Sequence, residues 1–398
     1  MGVAEDSTGS QGTYEPTLKV ALIHDWLTGM RGGEKALESL CSVFPDAPLW
    51  SLVHVPGSVS AAIEARKIHT SFLQHLPFVQ KKYRHYLPLF PLAAELTKVT
   101  AKDADVVVST SHAVAKAMVK KDPDRRPLHV CYIHTPMRYI WDRYDDYFGP
   151  ERVGRLASSL FFKPITRLLQ VYDLATVDRV DVFCTNSHYV AKRIRHLYRR
   201  EAEVIYGPVD VNKCAAVVRA SEEWYLMVTA LVPYKRVDQA IAACASLGRS
   251  LKIVGEGPER KSLMDLSRRL GAPPVEFLGF VSDEELLTMY GRARGLIFPG
   301  VEDFGLVPLE AIAAGCPVIA LRKGGAVDSM TPDTAEFYEE ESAEGLQKAI
   351  VRFEARQFSD RELRMRASQF TREQFTRKFQ AILRRAIGDQ KGHQPVCA

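Results

Sequence analysis

Patterned cysteine is missing from this chain. Seven cysteines (Cys41, Cys131, Cys184, Cys214, Cys244, Cys316 and Cys397) lie scattered without a Cys-x-x-Cys pair, which removes the spacing of zinc ribbons and dithiol redox sites and fits a reducing compartment. Long apolar runs are missing too: the longest, such as Ala104–Val108 and Gly295–Phe298, have strand length and fall far short of a membrane span. The first residues hold no apolar signal segment, so the expected location is cytoplasmic. Excess charge of one sign is lacking as well. Lys and Arg number 53 against 48 Asp and Glu, a net +5, far from the dense basic character of a nucleic-acid-binding domain, and no nucleic-acid partner is expected.

What remains is an ordinary globular composition, 46% hydrophobic and 25% charged over 398 residues, too long for one comfortable core. Residues 1–17, rich in Ser, Gly, Thr and Glu, read as a disordered tail. From Leu18 strand-length apolar runs alternate with helical segments. Lys19–Ile23 precedes a glycine-containing loop and a helix over Glu34–Leu40. Asp105–Ser109 precedes a helix over Val114–Lys120, then come His129–Ile133, Val182–Thr185 and a helix over Tyr189–Tyr198. A second series has strands at Tyr225–Val228, Leu251–Val254, Val275–Leu278, Gly295–Phe298 and Val318–Leu321. Alternation of this kind predicts parallel sheets, hence an α/β chain of two facing, doubly wound, Rossmann-like units over residues 18–209 and 210–370. A helix over 371–388 is expected to return to the first unit, with a tail over 389–398.

The most informative window runs from Gly295 to Gly315 and reads as strand, loop and helix, closed by Gly315. Pro308 suits the first turn of that helix, and Gly305 lets backbone approach a ligand closely. Free amides at such a helix start favour an anion. Glu302 lies ahead of the helix and Glu310 within it, so the two carboxylates suit two ends of one ligand better than a paired acid-base device. A sugar nucleotide has that shape: hydroxyls at both ends and a charged diphosphate between. Lys235, where the strand from Tyr225 leads through a loop into a helix, offers an ammonium to that diphosphate.

Other motifs have competing readings. Gly255-Glu-Gly257 follows a strand but lacks the third glycine of a dinucleotide fingerprint. Asp25 with Gly32-Gly33-Glu34 occupies the first strand-to-helix loop, either as a tight turn or facing a ligand cleft. His134, Arg138, Tyr139, Trp141 and Tyr144 cluster hydrogen-bonding and aromatic groups beyond a strand, as carbohydrate sites require. Asn186-Ser187 reads as a helix cap or a substrate contact. Asp103-Ala-Asp105 has the letters of a metal-binding Asp-x-Asp but precedes a buried strand, and reads as structural. No metal and no cofactor are expected.

Taken together, the Glu302/Glu310 window, the Lys235 loop and the His134 segment resemble the retaining glycosyltransferases of family 4, over most of residues 18–388. The resemblance implies the GT-B fold, two Rossmann-like domains with an interdomain cleft. It implies that Glu302 contacts donor-sugar hydroxyls, Glu310 holds the nucleotide ribose and Lys235 binds phosphate. It places Phe304, Gly305 and Leu306 where backbone amides meet sugar or phosphate, and Gly255, Gly257 and Val281 near the nucleoside. Gly32 and Gly33 then face the cleft, and Tyr206–Asp210 forms the interdomain hinge. The chain departs from the pattern at Ala230, where the family often carries an arginine; Arg236 is the candidate substitute.

The His134 segment is similar to a subgroup containing O-antigen and exopolysaccharide mannosyltransferases, in which the histidine approaches the donor sugar. That implies GDP-mannose as donor and a lipid-linked oligosaccharide as acceptor, with a UDP-sugar enzyme as the alternative. A sugar-nucleotide epimerase and a non-catalytic sugar-nucleotide-binding protein are the further readings. The basic and apolar stretch Phe72–Phe90, with Lys81, Lys82 and Arg84, suits either contact with an anionic membrane or an ordinary solvated face.

Overall fold

The computed structural model describes residues 18–392 apart from 101, 121–126, 150–153, 155, 157 and 272–274. The tail expected over 1–17 lies outside these described residues. Two parallel sheets organise the chain. The first contains β1 (Val20–His24), β2 (Leu49–Ser51), β3 (Ile68–Thr70), β4 (Val106–Ser111), β5 (Leu128–Ile133), β6 (Val182–Thr185) and β7 (Ala202–Val204), in the order β3-β2-β1-β4-β5-β6-β7. The second contains β8 (Trp224–Val228), β9 (Ser250–Val254), β10 (Val275–Gly279), β11 (Gly295–Phe298), β12 (Val318–Leu321) and β13 (Ala335–Tyr338), in the order β10-β9-β8-β11-β12-β13. Both are doubly wound. Each central strand is buried along most of its length, which is why the sequence shows continuous apolar runs there in place of alternation.

Strand order reverses between β1 and β4 in the first sheet and between β8 and β11 in the second. At such a reversal the loops leave in opposite directions and open a crevice at the carboxyl ends of the strands. His134, Lys235 and Glu302 all lie on loops beyond the carboxyl ends of central strands, β5, β8 and β11.

The helix expected over Val114–Lys120 is corrected to a single 3-10 turn, Ala115–Ala117. The amides of His112, Ala113, Val114 and Ala115 all donate to the Asp25 carboxylate. Beyond them the Val99 amide donates to the Met118 carbonyl and the Lys120 amide to the Val99 carbonyl, drawing the chain into a parallel bridge between Val99 and Val119. Three strands of three residues, β2, β3 and β7, are too short for a periodic signal, and β13 carries Glu336 within it.

The chain passes between the sheets twice, and the two passages pair: the Val209 amide donates to the Phe370 carbonyl at 2.9 Å. Helix Arg372–Gly392 then lies against the first sheet, with Phe375, Phe379 and Leu383 in one core with Leu22, Val106 and Tyr132. Burying each of these side chains contributes about 1.5–3 kcal/mol. The helix extends through residues 389–392, where a tail was expected, and 393–398 lie outside the described residues.

Candidate active site

In the second domain, β8 leads through a 3-10 turn, Pro233–Lys235, to a helix over Val237–Leu247. Beyond β11, Gly305 at φ +89° starts the helix Leu306–Ala313. These loops meet: Lys235 Nζ and Glu302 Oε1 form an ion pair, each side chain less than a fifth exposed. Enclosure, followed by the positive charge of Arg138, pulls the Lys235 ammonium down to about 7; the negative charge of Asp303 opposes that pull.

The first domain brings a second cation to this pair. Arg138 opens a short helix, Arg138–Trp141, four residues beyond His134. Its Nε lies 2.7 Å from Asp303 Oδ2 and its Nη1 4.0 Å from Glu302 Oε2. Arg193 reaches the other oxygen of Asp303 at 3.2 Å. The Tyr234 ring is bracketed by Arg138, Arg143 and Lys235, at 5.9, 5.1 and 5.4 Å from its centre. Arg236 turns elsewhere: at φ 54°, it places Nε 3.6 Å from Glu341 and is 40% exposed. Of the two arginines, Arg138 is the one whose charge bears on Lys235, and Arg236 pairs with Glu341.

His134 borders the same cleft. Its amide donates to the Ser111 carbonyl at 2.8 Å, and Asn186 Nδ2 donates to its carbonyl at 3.1 Å. Enclosure, then the nearby His112 and His24 rings, pushes its pKa down to about 3, so the ring is neutral near pH 7. Its Nε2 has no hydrogen-bond partner among the described residues. A Cβ on Gly33 would sit 3.5 Å from that nitrogen. Tyr139 is half-buried beside Tyr147, their ring centres 6.3 Å apart.

Gly32 shows how closely the domains approach. A Cβ there would lie 2.9 Å from Leu306 Cδ1, so the start of helix Gly32–Val43 meets the start of helix Leu306–Ala313. Two helix starts directed to one place favour an anion. Lys35 Nζ, one turn along, donates to Glu310 Oε1 at 2.8 Å, and Tyr290 Oη donates to Oε2 at 3.3 Å. Burial works against the Lys35 ammonium, but the Glu310 carboxylate outweighs it and holds the pKa above the ordinary lysine value.

Several expected residues have backbone jobs. Both oxygens of Asp25, which is fully buried, are taken up by the four amides of residues 112–115. Asp25 therefore orders the cleft wall and presents no carboxylate to an acceptor. A Cβ on Gly255 would sit 1.9 Å from the Thr229 carbonyl oxygen, and one on Gly257 2.3 Å from that of Leu231. These glycines let the β9 loop pack beneath the loop that carries Lys235. Val281 is half-buried beside Ser282, which caps the helix Asp283–Arg292. Phe304 is 4% exposed and stacks on Tyr206 with centres 5.8 Å apart and planes at 9°, joining the Glu302 loop to the passage between the sheets. Ser187 caps the helix His188–Tyr198 and donates to the Asp303 carbonyl at 2.5 Å. Asp103 accepts from the amide and hydroxyl of Thr100, each at 2.8 Å.

Sequence reasoning missed Lys35, Asp303, Tyr234 and the pair Gly324-Gly325. A Cβ on Gly324 would come within 2.5 Å of the Glu302 carbonyl oxygen, and one on Gly325 within 2.3 Å of Phe304 Cα. The Gly325 amide donates to the Glu302 carbonyl at 2.8 Å. The available signal was a Gly-Gly just beyond β12, at the carboxyl edge where the site lies.

Two facing doubly wound domains with polar groups converging between them define the GT-B architecture. Residues 215–374 match the family Glycosyl transferases group 1. A GDP-mannose-dependent alpha-(1-6)-phosphatidylinositol monomannoside mannosyltransferase of Mycobacterium tuberculosis is 37% identical over 38% of this chain and 47% of its own length. A D-inositol 3-phosphate glycosyltransferase of Saccharomonospora viridis is 33% identical over 60% of this chain and 62% of its own. The chain spans between 30% and 47% of the length of the first curated relatives it matches. Among solved structures, Anabaena HepE in complex with UDP and glucose superposes with a TM-score of 0.65 at 17% identity, covering 92% of this chain and 99% of that one. That likeness is one of fold.

Proposed function

We propose that this chain is a retaining glycosyltransferase that moves mannose from GDP-mannose to a lipid-linked oligosaccharide in cell-surface polysaccharide synthesis. The observation that carries the reading is the meeting of Lys235 and Glu302 with Arg138 where the cleft wall also holds His134. Cations for a diphosphate and a carboxylate for sugar hydroxyls meet in one cleft, and a neutral imidazole with a free nitrogen lies in its wall. The mannosyl preference rests on the Mycobacterium tuberculosis relative, a mannosyltransferase named as GDP-mannose-dependent. The lipid-linked acceptor rests on the resemblance of the His134 segment to O-antigen mannosyltransferases. A UDP-sugar donor is the second reading, favoured by the UDP and glucose held by Anabaena HepE. The matched domain gives the epimerase and non-catalytic readings no support.

In the proposed reaction, donor binding parts Glu302 from Lys235. Glu302 and His134 then hold sugar hydroxyls, Glu310 the ribose, and Lys235 with Arg138 and the amides at Gly305 and Leu306 the diphosphate. The bond from the anomeric carbon to phosphate oxygen breaks as the bond to the acceptor oxygen forms on the same face, and the acceptor proton passes to the departing diphosphate. No side-chain nucleophile and no metal is used. Closure about the stacked Tyr206 and Phe304 excludes water from this step. Such an enzyme works at the cytoplasmic face of a membrane; no helix among the described residues is long and apolar enough to cross one.

The test is a mass-spectrometric donor screen with GDP and UDP sugars and lipid extracts. Hexose added to a lipid-linked glycan from GDP-mannose, with GDP released only when acceptor is present, is the expected result. Transfer from a UDP sugar alone selects the second reading, and donor binding without transfer across all acceptors defeats both.

A further inference from the structure

Among the described residues, the large apolar side chains exposed to solvent are not evenly spread. Leu89, Leu92 and Leu96 are 37%, 51% and 69% exposed, and Phe161, Leu168 and Val171 are 65%, 59% and 55% exposed. The first three belong to one segment, helix Phe90–Leu96 with the residue before it, and their spacing of three and four puts them on one face. The other three lie on helix Lys163–Ala175 and the turn leading into it, again along one face. Each segment is anchored by its opposite side: Phe90, Ala93 and Ala94 in the first and Leu169 in the second are fully buried in a shared core. Each is therefore amphipathic with its second apolar stripe turned outward, which a water-facing helix does not need.

The two stripes are held side by side. Tyr172 Oη donates to Glu95 Oε1 at 2.8 Å, with Leu168 one turn before the tyrosine and Leu92 one turn before the glutamate. Charge follows the apolar residues. Lys81, Lys82, Arg84, Lys163 and Arg167 are exposed around them, while residues 156–172 contain no acid. Between Phe78 and Lys98 the one acid is Glu95, which is taken up by Lys98, Arg179 and Tyr172.

We infer that this surface docks the first domain on an anionic lipid bilayer, the leucines and Phe161 entering the headgroup boundary while the surrounding cations meet lipid phosphates. An exposed apolar stripe whose own segments carry exposed cations, and whose one acid, Glu95, is already paired, fits that occupant by charge as well as by polarity; an acidic protein partner would satisfy only the cations. The inner side of the same helix holds the cleft: Gln170 Nε2 donates to the Ile140 carbonyl at 2.6 Å, and Trp141 Nε1 donates to Asp173 Oδ2 at 2.8 Å. A bilayer at Leu168 and Val171 thus lies one helix away from the segment carrying Arg138. The inference deepens the proposed function by assigning the face through which a lipid-borne acceptor arrives, and it rests on that reading for its purpose but not for its test.

The experiment is flotation of the full chain with vesicles of phosphatidylcholine alone and of phosphatidylcholine with phosphatidylglycerol in equal parts. The chain should float with the mixed vesicles and not with the neutral ones. Leu168→Gln with Val171→Gln should weaken flotation by about tenfold or more, the loss expected when two aliphatic side chains leave a lipid contact. Lys163→Gln with Arg167→Gln should weaken it by about fivefold per cation at low salt. All four positions are exposed, so thermal melting should be unchanged and reports that the fold is intact. Equal flotation of the wild type and the Leu168/Val171 variant, or no flotation of the wild type, overturns the inference. So does a wild-type dimer in sedimentation that the Leu168/Val171 variant dissolves, since the stripe would then cover a second copy. Vesicle binding without sugar transfer would refute the transferase and leave the docking surface standing; transfer to a soluble acceptor without vesicle binding would do the reverse.

Discussion

Lys235 and Glu302 form an ion pair at the carboxyl edge of the second sheet, so in the free protein the side chain proposed for the diphosphate is neutralised by the one proposed for the sugar. A ligand that offers phosphate to one and hydroxyls to the other can replace both halves of the pair at once. A bare anion or a bare sugar replaces only one half and leaves the other charge partly buried and unpaired, which is costly. The pair thereby favours an intact sugar nucleotide over its fragments.

Removing the lysine tests the assignment of the leaving group. Lys235→Ala should lower kcat/KM by about 10²–10³-fold, the size of a lost contact to developing negative charge. Product formation followed by mass spectrometry, with a melting curve to show an intact fold, gives the answer. Retained turnover with unchanged donor affinity rejects the role.

The ammonium of Lys235 also sets a pH dependence. Enclosure holds it at about 7 in the free protein, so the cation is present below about pH 7 and lost above it. Bound diphosphate keeps the proton in place, and donor binding must then take up a proton in the alkaline range. Affinity should fall by up to about tenfold per pH unit above about pH 7. His134, at about 3, stays neutral and adds nothing in this range. Calorimetry in two buffers of different ionisation enthalpy measures the uptake, and Lys235→Arg should abolish it. Donor affinity independent of pH from neutral into the alkaline range would show that the lysine keeps its charge.

Arg138 and Arg236 are separated by a direct comparison. The Arg138 guanidinium is 17% exposed and reaches Asp303 and Glu302 together, which an ammonium cannot do. Arg138→Lys should therefore lower kcat by about tenfold or more through a misplaced clamp. Arg236→Ala removes a half-exposed contact to Glu341, a type of pair that contributes about 0–1 kcal/mol, and should change kcat less than about threefold. The opposite ranking in steady-state kinetics would return the clamp to Arg236.

The Glu302 loop should be sensitive to a methyl group it never touches in the native chain. Gly325→Ala places a Cβ 2.3 Å from Phe304 Cα, backbone that cannot yield without moving Glu302 and Gly305. The expected destabilisation is about 1–3 kcal/mol, with a larger relative loss of kcat/KM than of stability. Denaturant unfolding beside kinetics checks both, and activity equal to that of the wild type would show that the loop is not held by this contact.

Much of the architecture was legible because it is written at short range. Apolar runs of strand length followed by helical spacing located β1, β4, β5, β6 and β8–β12, and glycines and prolines marked the turns. The runs that escaped, β2, β3 and β7, are too short to carry a period. The false helix at Val114–Lys120 failed because its far end pairs with a distant residue: the Val99 amide donates to the Met118 carbonyl and the Lys120 amide to the Val99 carbonyl. Local pattern contains no information about such a competitor.

The same division holds for the candidate site. By itself the sequence determined two doubly wound halves and singled out Lys235, Glu302, Glu310 and the His134–Arg138 segment, because each sits where a strand gives way to a loop or to the helix beyond it. Only the tertiary structure decided that Lys235 faces Glu302, that Lys35 takes Glu310, that Arg138 and not Arg236 stands beside the lysine, and that Asp25 is spent on backbone. Those outcomes depend on how two domains close over a cleft and on which buried charges find partners there. Pairing energies of that kind arise between residues far apart in the chain, and no local spacing encodes them.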